Sequence, residues 1–151
     1  MVIVIEPASL KDLHVLDTIE KECFKSEAYT REQLAYLLKS PSAVSLVAKE
    51  SNETVGFIVG MTENYGKTTA GHIVTIDVLP KHRREGVGLK LLDELEKEFV
   101  RQGVKTIYLE VRIDNQAARR LYAKKGYIQL EPLEDYYNEG KHGLRMKKEL
   151  S

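Results

Sequence analysis

Several things are scarce in this chain, and each scarcity excludes something. It has one cysteine, Cys23, in 151 residues. No internal disulfide can form, and a reducing, cytoplasmic setting is expected. Lysine plus arginine and aspartate plus glutamate number 23 each, so neither sign is in excess. A general nucleic-acid binder needs a basic surplus, and none is expected here. No apolar run approaches the roughly 20 residues that span a bilayer. The opening MVIVIEP lacks a charged region followed by a long apolar one, so no signal peptide is expected. No Cys/His cluster has metal-ligand spacing, and no metal is expected. There is no internal repeat and no low-complexity linker. The length suits one domain, 1–151, able to bury roughly 70% of its unfolded surface.

What is present centres on residues 71 to 92, GHIVTIDVLPKHRREGVGLKLL. Ile73 to Val78 is an apolar, β-branched run that suits a buried strand. Pro80 ends it. From Val87 the period changes: Val87, Leu91, Leu92, Leu95, Phe99 and Val100 share one helical face, with Lys90, Asp93, Glu94, Lys97 and Glu98 opposite. A strand therefore runs through a glycine-punctuated loop into a helix. The helix start offers free N–H groups and a partial positive charge. Gly86 and Gly88 lack the Cβ atoms that would hold an anion away. Arg83 and Arg84 add charge and forked donors. Together these describe a diphosphate site. Neither GxGxxG nor GxxxxGK[ST] fits.

Taken in order, Val2 to Ile5 reads as a strand stopped by Pro7. Ser9 with Asp12 caps a helix through Phe24, whose apolar stripe is Leu10, Leu13, Leu16, Ile19, Cys23 and Phe24. Lys25 to Tyr29 is a polar link. Thr30 with Gln33 caps a second helix through Leu38. Val44 to Lys49 and Val55 to Met61 form a hairpin, which leads through Gly66 and Gly71 into the organising strand. Gly103 closes the long helix. Thr106 to Ile113 alternates, with Ile107, Leu109, Val111 and Ile113 on one face and Tyr108, Glu110 and Arg112 on the other. A helix spans Asn115 to Lys125, Tyr127 to Leu130 is a strand, Pro132 to Gly143 a loop, and Leu144 to Lys148 a last short strand.

The spacing Arg83-x-x-Gly86-x-Gly88 resembles the acetyl-CoA signature of the GNAT N-acetyltransferases. Residues 109 to 127, LEVRIDNQAARRLYAKKGY, resemble the second block of the RimI-type and archaeal Ard1-type members, which acetylate protein N-termini. The element order β-αα-βββ-α-β-α-ββ agrees. The resemblance implies an α/β (α+β) GNAT fold: a mixed, mostly antiparallel sheet of six or seven strands flanked by about four helices. It also implies acetyl-CoA as co-substrate and direct attack by the acceptor in a ternary complex. The acceptor it implies is a protein or peptide N-terminus, with a ribosomal protein in range, and it leaves monomer and homodimer both open.

By that resemblance the backbone of Ile76, Asp77 and Val78 pairs with pantetheine. Arg83, Arg84, Glu85, Gly86, Val87, Gly88 and Leu89 take the diphosphate, and Asn115 and Tyr122 reach the cofactor from the following helix. Glu110 matches the general base and Tyr122 the general acid, with His72 a competing base or a relay partner through water. Phe24, Glu27 and Tyr29 fall on the substrate side, as do Tyr136 and Tyr137. Two departures stand out. Ser26 replaces a proline of the family loop. Asp77 stands where alanine is usual, and the sequence gives no physical account of it.

Other readings of the same residues stay open. Glu110 suits a salt bridge to Arg112 or a helix, His72 an exposed strand end, and Tyr122 a core ring. Asn115 suits an N-cap worth about 1 kcal/mol. At the level of the chain, the alternatives are acetylation of a small amine or a lysine side chain, and a non-catalytic CoA-binding subunit or sensor.

Overall fold

The computed structural model describes residues 2–150. Strand β1 (Val4–Pro7) is followed by helices α1 (Leu13–Phe24) and α2 (Arg31–Lys39), then strands β2 (Ala43–Glu50), β3 (Glu53–Tyr65) and β4 (Thr68–Val78). Helix α3 (Val87–Arg101), strand β5 (Thr106–Arg112), helix α4 (Gln116–Lys124) and strands β6 (Ile128–Asn138) and β7 (Lys141–Glu149) complete it. Both expected capping boxes form. Ser9 and Asp12 start the 3-10 turn that leads into α1. Gln33 N–H donates to Thr30 Oγ1 at 3.1 Å and Thr30 N–H to Gln33 Oε1 at 2.8 Å, starting α2. Among the described residues no helix is long and apolar enough to cross a membrane.

The seven strands form one sheet in the order β1-β2-β3-β4-β5-β7-β6. Only β4 and β5 run parallel; the remaining neighbours are antiparallel. The apolar stripe of α3, Leu91, Leu92, Leu95 and Phe99, packs with Ile58, Ile107, Leu109 and Tyr122 on one face. On the other face α1 and α2 bring Leu16, Ile19, Leu34 and Leu37 onto Val47, Phe57 and Val59. The alternation read in β5 matches these faces, and so does the α3 stripe except at Val100, which is 49% exposed at the rim of the helix's apolar arc.

The structure alters four boundaries. Pro7 closes β1 from within, opposite Leu46; β1 is an edge strand, where a missing N–H costs no ladder bond. The β3–β4 hairpin runs on to Tyr65 and back from Thr68. Gly71 is therefore not in the connection but inside β4, beneath Phe99. A Cβ at Gly71 would lie 2.7 Å from Phe99 Cε2, and one at Gly60 2.7 Å from Phe99 Cζ. The two glycines make room for one ring. Finally, Pro132 to Gly143 is not a loop: β6 continues to Asn138 and turns directly into β7. Its strand signal is hidden because β6 is an exposed edge rich in polar residues, and its register shifts around Pro132.

A bulge in β4 decides which way the site residues face. Val59 pairs Thr75 and Gly60 pairs Ile73, so Val74 is an extra residue. The alternation shifts there, which sends Thr75 and Asp77 toward α1. Asp77 and Glu20 of α1 are each 1% exposed. Thr75 Oγ1 lies 3.0 Å from Glu20 Oε1 and 2.7 Å from Asp77 Oδ1. A hydroxyl has one proton to give, so one of these contacts requires a protonated carboxyl. Burial first, then the charge and hydrogen bond of Glu20, push the Asp77 carboxyl well above the usual range. Asp77 is the protonated member, and this accounts for a carboxylate that the sequence left unexplained. Glu20 Oε2 also accepts the Tyr29 N–H at 3.0 Å, tying the α1–α2 connection to the sheet.

Two predictions follow from this packing. Gly71→Ala drives a methyl into the Phe99 ring and should destabilise the fold by about 1–3 kcal/mol in chemical denaturation; an unchanged midpoint would show that the ring moves freely. Folded Asp77 keeps its proton where the unfolded chain has lost it, so stability falls as pH rises from the ordinary carboxylate range toward the raised value. Asp77→Asn removes that loss. Its Tm relative to the parent should climb as pH rises above the ordinary carboxylate range, whereas a pH-independent difference would mean that the Asp77 carboxyl is not raised in the fold.

Candidate active site

β4 pairs with β5 only through Ala70, Gly71 and His72, opposite Thr106, Ile107 and Tyr108. Both strands then continue, β4 to Val78 and β5 to Arg112, without pairing to each other. A wedge-shaped gap opens from His72 onward. Leu79 N–H donates to Val55 O at 2.9 Å, so strand alternation turns the Asp77 backbone toward β3 and those of Ile76 and Val78 toward the gap. Ile76 and the Val78 N–H thus face the gap, where an extended ligand can pair with them. Val78 O is already engaged: Arg83 Nε donates to it at 3.1 Å, and Cys23 Sγ lies 3.5 Å away. Arg83 folds back on β4, with its Nη2 3.8 Å from Cys23 Sγ, rather than reaching out over the loop. Burial raises the Cys23 thiol to about 11, so it is not a ready nucleophile.

The loop after β4 makes a 3-10 turn at Pro80–His82 and enters α3 at Gly86, whose φ of 81° is the left-handed conformation. Arg84 is also left-handed, at φ 66°. Gly86 has no side chain to cap the helix, and the first turn of α3 holds no acidic residue. Its leading N–H groups at Val87, Gly88 and Leu89 are free for an anion. A Cβ at Gly88 would find Leu121 at 3.5 Å, an ordinary contact, so packing alone does not demand glycine there. Glu85 turns to His82, its Oε1 3.2 Å from Nδ1. Across the gap Asn115 caps α4, accepting the Ala118 N–H at 3.1 Å. Tyr122, on the inner face of α4, is 4% exposed and meets Tyr127 edge-on at 5.6 Å. Burial, then Tyr137 and Asp77, raise its pKa, so it stays a neutral phenol able to donate.

The polar face of β5 gathers the rest. His72 Nε2 lies 2.7 Å from Glu110 Oε1, and Arg145 Nε of β7 reaches Glu110 Oε2 at 3.4 Å. Arg145 also donates to Glu131 at 2.8 Å. Burial opposes ionisation of both His72 and Glu110, but their hydrogen bond and mutual attraction outweigh it. The His72 pKa is raised and that of Glu110 lowered, the latter helped by Arg145. Tyr136 and Tyr137 meet edge-on at 4.9 Å. Burial raises Tyr136, Tyr137 and Tyr29, with the Glu110 charge contributing at each. All three phenols lie within reach of the Glu110 charge. Glu27, in the 3-10 turn after α1, accepts from Arg112 Nη1 at 2.7 Å, which fastens that turn to the end of β5. Phe24 ends α1, half-buried.

Of the sequence-predicted residues, His72, Ile76, Glu110, Asn115 and Tyr122 lie on elements that flank the gap, whereas the side chains of Asp77, Arg83 and Glu85 are engaged with Thr75, Val78 and His82. Three that matter were not singled out. Arg145 stands directly opposite Glu110 in the β5–β7 ladder, a pairing invisible until the register is known. Arg112 pairs with Glu27 and Asp114 rather than with Glu110. Glu20 sits on the buried face of an amphipathic helix, where its position broke the apolar stripe.

Comparison with known proteins bears on the same residues. The profile of the Acetyltransferase (GNAT) family matches residues 10–127. An N-acetyltransferase of Methanocaldococcus jannaschii is 34% identical over 146 residues, 96% of this chain and 90% of that protein. The N-alpha-acetyltransferase of Sulfurisphaera tokodaii is 34% identical over 119 residues, 72% of this chain and 71% of that one. The crystal structure of Ard1 from Thermoplasma volcanium superposes with a TM-score of 0.87 at 27% identity, covering 100% of this chain and 99% of its own. The chain, with its splayed strands and its glycine loop between them and α3, belongs to the GNAT family of acetyltransferases.

Proposed function

We propose that this enzyme moves the acetyl group of acetyl-CoA onto the α-amine at the N-terminus of a protein, with both substrates bound at once. The observation that carries the reading is the His72–Glu110 pair beside the β4–β5 gap, with Tyr29, Tyr136 and Tyr137 within reach of the Glu110 charge. The Sulfurisphaera relative supports the choice of acceptor. Ile76 and the Val78 N–H suit the pantetheine amides. The leading amides of α3 and the Arg84 side chain suit the diphosphate.

The chemistry requires a neutral amine. An α-amine near pKa ~8 is substantially neutral at working pH, whereas a lysine near ~10.4 is neutral about once in a thousand at pH 7.4. The amine nitrogen attacks the thioester carbonyl carbon, the C–S bond breaks, and the nitrogen loses a proton. His72 takes that proton, held in place by Glu110; a lowered carboxylate is a poor base by itself, while an imidazole raised above 6.5 is well matched to neutral pH. Tyr122 gives its hydroxyl proton to the departing thiolate. A cytoplasmic setting, with newly made chains or ribosomal proteins as acceptors, is consistent with this role.

The pair titrates as a unit, and its apparent pKa sets the rising limb of kcat/KM with pH. Glu110→Gln removes the charge that raises His72 while burial continues to lower it. The limb should move to lower pH and the plateau fall by roughly 10²–10³-fold. His72→Ala should abolish the limb. A limb unmoved in both variants would remove His72 from the role of base.

The acceptor is tested with two peptides of one sequence. One has a free N-terminus and a blocked lysine, and the other the reverse, with ribosomal-protein termini included among the sequences. Mass spectrometry should place acetyl on the α-amine of the first, faster by an order of magnitude or more than on the lysine of the second. The opposite ranking would make the enzyme a lysine acetyltransferase.

A further inference from the structure

Outside the gap, one cluster of side chains has no partner that suits it. Glu50 ends β2, while His82 and Glu85 lie in the loop that leads to Gly86. Their ligand-type atoms all fall within 4.8 Å of one another. His82 Nδ1 is 3.4 Å from Glu50 Oε2 and 3.2 Å from Glu85 Oε1. One ring nitrogen bears at most one proton, so it can serve only one of the two carboxylates. Glu50 Oε2 is itself fully buried and accepts no hydrogen bond. Two carboxylates thus converge on a group that can neutralise only one, and a buried carboxylate oxygen is left without a donor.

A divalent cation satisfies all three at once. Bonds of about 2.0–2.1 Å to imidazole nitrogen and carboxylate oxygen in a tetrahedral site place neighbouring ligand atoms about 3.3–3.4 Å apart. The two distances to His82 Nδ1 already have that length. The set of one nitrogen and two oxygens is the mixed, borderline kind that suits zinc. We propose that Glu50, His82 and Glu85 form a divalent-cation site that fastens the diphosphate loop to the end of β2. Glu50 lies 32 residues before His82 and reaches the His82–Glu85 pair only through the fold, which is why no spacing announced the trio. The ion takes no part in acetyl transfer, which needs no metal. Its effect is on the loop: Glu85 directly precedes Gly86, so fixing its carboxylate fixes the backbone that presents the first amides of α3. The added positive charge lies beside the anion the loop receives. Metal and acetyl-CoA should therefore bind with positive coupling, each tightening the other by the same factor.

The test uses the full chain, freed of metal with a chelator, in a phosphate-free buffer. Calorimetric titration with zinc chloride should give one saturable site. Acetyl-CoA titrated with and without saturating zinc should bind about fivefold or more tightly in its presence. Glu50→Gln and His82→Asn should each abolish the zinc isotherm and the zinc-dependent gain while leaving zinc-free acetyl-CoA affinity and the unfolding midpoint unchanged. No saturable zinc binding would overturn the site, as would an isotherm that survives both substitutions. Zinc binding with unaltered acetyl-CoA affinity would overturn the coupling. Because every readout is binding, the outcome is independent of which amine the enzyme acetylates.

Discussion

The structure depends on a sheet that comes apart in the middle. β4 and β5 share three residue pairs and then diverge, although each stays fully paired on its outer side, β4 to β3 and β5 to β7. Unpaired strand edges are normally a hazard, because free N–H and C=O groups invite any passing strand. Here the edge is interior and the two outer ladders hold it open. The bulge at Val74 lies just past the last shared pair, so the strand changes face where it changes partner. The α3 terminus and α4 then sit on one side of the opening, and the polar face of β5 on the other. Under the proposed function, that opening is where a thioester and an amine would meet.

Two carboxylate sites on β4 and its neighbours, Glu110 and the Glu20–Asp77 pair, illustrate different answers to one electrostatic problem. Glu110 is held by two donors: His72 on one oxygen and the Arg145 guanidinium on the other keep it ionised. Glu20 and Asp77 have no cation bonded to them among the described residues; Asp77 stays protonated instead, and the Thr75 hydroxyl links the two. The first site remains exchangeable with solvent and so can serve acid–base chemistry. The second is sealed and serves position, joining α1 to the cofactor strand and, through Glu20, to the Tyr29 amide.

Much of this was legible in the residues. Amphipathic periods gave α3 and β5 their faces, capping pairs located α1 and α2, and the glycine loop with the LEVR-to-LY block pointed to the gap. What resisted reading has a common cause. The alternation in β4 shifts at a bulge, so Asp77 could not be assigned a side. Strand β6 is polar because it is exposed, and polar alternation against solvent looks like a loop. Arg145, Glu20 and the Glu50–His82–Glu85 cluster act across strand and helix pairings, and pairings are properties of the folded register rather than of any local window.

The ring of Phe99 lies over Gly60 and Gly71 on adjacent strands. These three positions occupy one volume, and none can drift alone. A lineage that gains a side chain at either glycine must first, or simultaneously, shrink residue 99, so the order in which such changes accumulate is constrained. Related chains should therefore split into two packing types, small-small-large and its complement, with few intermediates. A homologue that breaks the trio would reveal that α3 has shifted over the sheet, and with it the glycine turn at its start.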